Sequence, residues 1–225
     1  MSHSDLAGDL AAACGRLGLD VKPDAIRGLA AYAASLWSWN ERLNLTRHTS
    51  AESFAARDVA DSLALVPHLA AGERVLDVGT GGGVPGVILA ILRPDLRVEL
   101  SDSVAKKARA VAEIVRESGL RLPVHAAAAQ ELVAARGRGP DRFDTLVVRA
   151  VAPLGKLLRW FGPLASSYGR LLVIKGPRWE AEKAEARLEG LGKNVSIRRI
   201  ASWPLPGSDN ESVLLEIKAR GDTGR

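Results

Sequence analysis

Val75-Leu76-Asp77-Val78-Gly79-Thr80-Gly81-Gly82-Gly83-Val84-Pro85-Gly86 joins a short apolar strand to a glycine-rich turn and then to the start of a helix. Pro85 suits the first helical position, where its fixed φ is already helical and no N–H is needed. Glycine is required where the backbone takes positive φ or lets a ligand come close. After the first strand of an open α/β sheet, such a turn marks the ligand crevice.

Downstream of this turn, short apolar runs alternate with helical patterns. Strands are predicted over 74–78, 96–100, 123–126, 143–148, 170–174, 195–201 and 213–217, and helices over 103–118, 154–164 and 180–191. That alternation predicts an α/β fold with a doubly wound, mostly parallel sheet of seven strands. Only 203–210, rich in Pro, Gly and Asn, separates the last two runs, so they are expected to pair as an antiparallel hairpin at one edge. Upstream, no strand pattern precedes Glu73. Pro23-Asp24 starts a helix with Ile26, Leu29, Ala30, Ala33, Leu36 and Trp37 at helical spacing, and Asn44-Leu45-Thr46 breaks it. Another helix begins after Ser50 and stops before Pro67. The expected division is a helical extension over 1–72, an α/β core over 73–219 and a tail over 220–225.

Composition narrows the class further. Apolar residues make up 47% and charged residues 25% of the 225, which is ordinary for a globular chain. The longest apolar run, 84–92, is far short of the roughly 20 residues of a membrane span. Asp5 and Asp9 lie where a secretory leader would carry basic residues. One cysteine, Cys14, excludes an internal disulfide, and the four histidines are scattered without metal-ligand spacing. A cytoplasmic, metal-free monomer is expected. The 31 basic and 26 acidic residues are unevenly spread: 6 against 9 up to Glu73, and 25 against 17 after it. A basic half with an acidic cap points to a polyanionic partner, because Lys and Arg gain free energy by releasing counterions from phosphates.

Gly81-x-Gly83-x-x-Gly86 also satisfies the dinucleotide pattern, so NAD(P) competes for the turn. Asp77 favours the cationic methionine end of S-adenosylmethionine and repels a pyrophosphate, and Pro85 removes a helix donor that a phosphate would use. Asp102, closing the second strand, is placed to accept from ribose hydroxyls in either cofactor class. After the fourth strand the chain reads Val147-Val148-Arg149-Ala150-Val151-Ala152-Pro153. No amide or carboxylate is there to polarise an exocyclic amine. An acceptor that needs no deprotonation, such as guanine N7, is favoured, with Arg149 as the candidate catalytic residue that orients base or cofactor.

The chain resembles the bacterial small-subunit (16S) ribosomal RNA guanine-N7 methyltransferases, the glucose-inhibited division protein B family. The resemblance covers roughly 35–219. It rests on Trp39-Asn40 through Asn44-Leu45-Thr46, Arg57 with Asp61-Ser62-Leu63, the glycine turn with Pro85-Gly86, Asp102-Ser103 with Lys106-Lys107, Arg149-Ala150 and Lys175-Gly176. It implies a Rossmann-like class I methyltransferase core with an N-terminal helical extension. It further implies S-adenosylmethionine contacts at Gly79, Val84, Asp102, Ala129, Gln130 and Arg149, and an rRNA or 30S substrate. Asn44 is a crevice residue by the same resemblance. The chain departs from the family at Asp58, usually His; at Gln130, usually Glu; and at Ser212-Val213, where an Arg-His pair is usual.

Lys175 and Arg178 follow the fifth strand beside the crevice and are candidates for RNA, as is the basic loop 136–142. Lys106, Lys107 and Arg109 read as a solvated helix face, and Trp37, Trp39 and Trp160 as core. A same-fold methyltransferase acting on a small molecule or protein, and an NAD(P)-linked oxidoreductase or nucleotide-binding module, stay open on the residues alone.

Overall fold

The structure, a computed structural model, describes residues 3–204 and 209–220. Helices α1 (His3–Arg16) and α2 (Pro23–Leu43) come first. Helix α2 buries Ile26, Leu29, Ala30, Ala33 and Leu36 along one side, as their spacing requires, with Asp24 in its first turn and Arg42 in its last complementing the helix dipole. It ends at Asn44, left-handed at φ 48°, whose N–H donates to Asn40 O. The Asn40 side chain then accepts the Thr46 N–H at 2.8 Å and fixes the turn that follows. Next come α3 (Ala51–Ser53), capped reciprocally by Ser50 and Ser53, a π-helical stretch Phe54–Val59, and α4 (Ala60–Leu63). Apolar spacing predicts an ordinary helix here; the wider turn falls where Asp58 is drawn into a buried ion pair described below.

The remainder alternates as β1 (Arg74–Val78), α5 (Gly86–Leu92), β2 (Arg97–Ser101), α6 (Ala105–Glu117), β3 (Val124–His125) and α7 (Ala129–Arg136). It continues as β4 (Phe143–Arg149), α8 (Leu154–Phe161), β5 (Tyr168–Lys175), α9 (Trp179–Leu188), β6 (Val195–Pro204) and β7 (Glu211–Ala219). The seven strands lie in the order β3-β2-β1-β4-β5-β7-β6. All pairings are parallel except those of β7 with β5 and β6. The mostly parallel sheet with one antiparallel hairpin at its edge is the architecture the alternation predicts. Strands β6 and β7 outrun their apolar segments because the hairpin ladder continues through Trp203–Ser212 and Pro204–Glu211. Residues 205–208 of the hairpin turn, and 221–225 of the expected tail, lie outside the described residues.

Strands β1 and β4 occupy the sheet centre and are buried on both faces, which suits their Val- and Leu-rich runs. One face is covered by α1, α2, α5, α6 and the π-helical stretch in a single apolar cluster. That cluster reaches from Leu6 through Tyr32, Phe54 and Ile88 to Leu214. Helices α7, α8 and α9 close the other face around Val133, Leu157 and Ala186.

Helix α5 starts at Gly86 instead of the expected Pro85, which stands just before it after a cis Val84–Pro85 peptide. The helix begins where its first free N–H finds an acceptor, and Gly86 has one in Asp77. A Cβ at Gly86 would come within 2.3 Å of Leu100 Cδ2 and 2.8 Å of Asp77 Cβ. Gly86→Ala is therefore expected to lower stability by about 1–3 kcal/mol through overpacking. Urea unfolding measures it, and an unchanged midpoint would contradict this packing.

Candidate functional site

Strand β1 has β2 on one side and β4 on the other, so the chain leaves it in opposite directions. The crevice of a doubly wound sheet opens at the carboxyl ends of such a pair. Here that edge carries the glycine turn after β1, Asp102 after β2, Arg149 at the end of β4 and Lys175 at the end of β5.

Asp77 is 1% exposed and lies inside the turn. Its Oδ2 accepts the Thr80 hydroxyl at 2.6 Å and the Gly86 N–H at 2.9 Å, while Oδ1 is buried without a partner. Burial pushes its carboxyl up to about 6, against the bonds from Thr80 and Gly86 and the attraction of Arg149. The turn around it takes positive φ at Gly79, Gly81 and Gly83. At Gly83 (φ 110°) a Cβ would also lie 2.9 Å from the Tyr32 hydroxyl oxygen. Tyr32, reaching from α2, donates to Gly82 O at 2.9 Å, and burial raises its pKa so that it keeps that proton.

Asp102 is almost buried, at 6% exposure, and stitches the second strand to the turn. Its Oδ2 accepts the Gly81 N–H at 3.1 Å and its Oδ1 the Val104 N–H at 2.8 Å. Each oxygen keeps a second lone pair for a ligand hydroxyl. Val104 beside it is 49% exposed, unusual for a large apolar side chain here. Val84 is half-buried in the turn, and Ala129 and Gln130 open α7, with Ala129 buried and Gln130 partly exposed.

Arg149 is enclosed by carboxylates of the N-terminal helices. It donates to Asp61 Oδ2 at 3.0 Å and to Asp58 Oδ1 at 2.5 Å, with a longer bond to Arg57 O. Burial works against its charge, but Asp58 and Asp61 outweigh it, so its pKa is raised and the guanidinium stays charged. His48 Nδ1 lies 2.8 Å from Asp58 Oδ1, and Trp203 Nε1 donates to Asp61 Oδ1 at 3.0 Å. The residue after Arg149, Ala150, is left-handed at φ 54°, a conformation that non-glycine residues rarely hold. The Asp58 departure thus places a carboxylate between an imidazole and the strand-end arginine.

A crevice of about 1080 Å³ runs from Arg149 toward β5 and gathers Asn44, Lys175 and Arg178 with Arg149. Lys175 is not free in it: the ammonium pairs with Glu182 at 2.5 Å and donates to Ala152 O. Arg47 and Arg57 line the same space, and with Arg178 they have no ion-pair partner among the described residues. Buried Ser212 forms part of its wall, small and neutral where the resemblance anticipates an Arg-His pair. The basic loop 136–142 corrects an expectation. It leads into β4 and so sits at the amino edge, opposite the crevice, where Arg136 pairs with Glu99 at 2.6 Å and stacks over Phe143.

Sequence reasoning missed Tyr32, His48 and Asp61 as site-forming residues. The i, i+3 spacing of Asp58 and Asp61 was the available signal, since two acids on one buried helical face require a cation.

The strand order, the glycine turn and the acids closing β1 and beyond β2 define the fold as that of the class I S-adenosylmethionine-dependent methyltransferases. In line with this, the TrmK structure from M. capricolum, solved with S-adenosyl-homocysteine, superposes with a TM-score of 0.52 at 12% identity, over 71% of this chain and 68% of that one. A family model described as rRNA small subunit methyltransferase G (GidB) matches residues 25–200. Ribosomal RNA small subunit methyltransferase G of Rhodopirellula baltica is 45% identical over 190 residues, 84% of this chain and 80% of that protein. Its namesake in Pseudomonas aeruginosa is 34% identical over 216 residues, 96% and 95% of the two chains. The chain belongs to the rRNA small subunit methyltransferase G family.

Removing Arg149 strands two buried carboxylates. Arg149→Ala is expected to cost about 3–5 kcal/mol of stability, and adding Asp58→Asn should restore part of it. Urea unfolding of the single and double variants checks this; additive losses would contradict the ion cluster.

Proposed function

We propose that this protein transfers a methyl group from S-adenosylmethionine to N7 of a guanine in small-subunit ribosomal RNA. Family membership supports the reaction class, and the observation that carries the choice of cofactor is Asp77. Its carboxylate already takes the first N–H of α5 and leaves negative charge under the turn, an arrangement hostile to a pyrophosphate and suited to a cation. The residues present fit S-adenosylmethionine: a turn with glycine at 79 and 81–83, the Asp102 carboxylate for ribose hydroxyls, exposed Val104 and part-exposed Gln130 for the adenine, and unpartnered Asp77 Oδ1. Bound there, the cofactor supplies an electrophilic methyl group carried on a sulfonium.

The protein's own task is positioning, which supplies much of the acceleration of such a transfer. Arg149 is clamped by Asp58 and Asp61, so its remaining N–H groups point in fixed directions. They suit guanine O6, the acceptor beside N7. N7 offers a neutral lone pair, so no side chain has to remove a proton. Asp58 and Asp61 are engaged by Arg149 and are not free to act as bases. The methylated guanine is cationic, and the carboxylates around Arg149 favour the charge that forms on the ring. At the rim Arg47, Arg57 and Arg178 are available to phosphates. Among the described residues no helix is long and apolar enough to cross a membrane, and no cluster of His, Cys, Asp or Glu is placed to hold a metal. Monomeric action in the cytoplasm on naked or assembled small-subunit rRNA completes the proposal.

Two outcomes follow. Asp102→Ala loses charge-assisted hydrogen bonds worth about 1.5–3 kcal/mol, so S-adenosylhomocysteine affinity should fall at least about tenfold. Titration calorimetry reads this, and unchanged affinity would sink the ribose assignment. Mass mapping of small-subunit rRNA after reaction should place the methyl on guanine N7. A label on an exocyclic amine, a ribose oxygen or a pyrimidine carbon would overturn the reaction, and transfer to a small molecule or protein alone would overturn the substrate.

A further inference from the structure

A groove of about 600 Å³ lies between α2 and α6, and it begins at Leu43, next to Asn44 of the crevice. Trp39 packs against the core, as expected, and leaves its other part along this groove. Its indole Nε1 donates to Glu117 Oε2 at 3.2 Å, and Ser35 Oγ donates to the same oxygen at 2.5 Å. Arg42 places its guanidinium 5.6 Å from the ring centroid. Lys106 and Arg109 face them from α6. All three cations are exposed and none has an ion-pair partner among the described residues. Of the two carboxylates here, Glu113 pairs with Arg116 at 2.7 Å, and Glu117 accepts the bonds from Trp39 and Ser35.

A part-exposed indole among unpaired cations matches single-stranded RNA, whose bases stack on aromatic faces while phosphates meet Lys and Arg. An acidic protein segment would satisfy the cations and leave the indole without a counterpart. The groove and the crevice meet at the carboxyl end of α2, where Leu43 lines the one and Asn44 the other, so a strand entering the crevice passes that helix end. We propose that the α2–α6 groove is a second RNA-contact surface, holding a nucleotide that flanks the target base. This rests on the rRNA methyltransferase reading above.

The test uses the full chain and a naked small-subunit rRNA fragment, with binding measured across a salt series. The triple variant Arg42→Glu, Lys106→Glu, Arg109→Glu changes only exposed side chains. It should reduce the salt slope by about two, given roughly 0.7 per single-strand phosphate contact, and weaken binding more than about tenfold. Trp39→Ala should weaken it about tenfold and Trp39→Phe much less, because a phenyl ring still stacks. S-adenosylhomocysteine binding should equal that of the wild type in all three. Unchanged slope and affinity on an RNA that the wild type methylates would overturn the groove alone. A wild type that neither binds nor methylates RNA would overturn the functional reading, and the groove with it. Losses confined to assembled subunits, absent on naked RNA, would assign the surface to a protein partner and overturn the proposal as stated.

Discussion

A carboxylate buried at the start of a helix organises the crevice. Asp77 Oδ2 holds the first N–H of α5 and the Thr80 hydroxyl together, and this bond pair draws strand, turn and helix into contact. The close approach it enforces leaves Gly86 without room for a side chain between Leu100 and Asp77 itself. The same bond underlies the cofactor proposed for the turn. Dinucleotide sites present helix N–H groups to phosphate, whereas here an internal anion has taken that place. What remains attractive at the turn is a positive charge.

The second organising contact crosses between layers. Arg149 ends the central strand β4, but its partners Asp58 and Asp61 come from the helices that precede the sheet. Tyr32 adds a bond from α2 to the glycine turn. The N-terminal helices therefore form a wall of the crevice. A charge pair this buried gains little net stability over an apolar packing, yet breaking it is costly, so it serves to fix a direction. That direction is what the role proposed for Arg149 requires.

The sheet was legible because its signals are local. Alternating apolar runs and helical stripes marked all seven strands, and the glycine turn located the crevice. What escaped was distant in sequence: Arg149 lies 91 and 88 residues from Asp58 and Asp61, so no pattern around it announces the ion cluster. Lys175 read as a free cation because Glu182, its partner, arrives only when α9 folds back over the end of β5. Trp39 read as core and does pack on it, but nothing in its helical position announces that it also lines the groove beside α6. The misplaced loop 136–142 was avoidable, since a loop leading into a parallel strand lies at the edge opposite the ligand. By contrast, Asn44 combines its left-handed helix end with a place in the crevice, so one residue carries both the local and the functional signal.

The most direct measurement compares S-adenosylmethionine, S-adenosylhomocysteine and NAD by titration calorimetry between about pH 5 and about pH 7.5, the range in which a carboxyl so raised ionises. Ionised Asp77 attracts a sulfonium, so as the pH climbs through about 6 the affinity for S-adenosylmethionine should rise several-fold relative to S-adenosylhomocysteine, which lacks that charge. Asp77→Asn should flatten the ratio, and NAD should bind weakly throughout. Tight NAD binding, or a ratio that ignores pH in the wild type, would contradict the role given to the buried carboxylate.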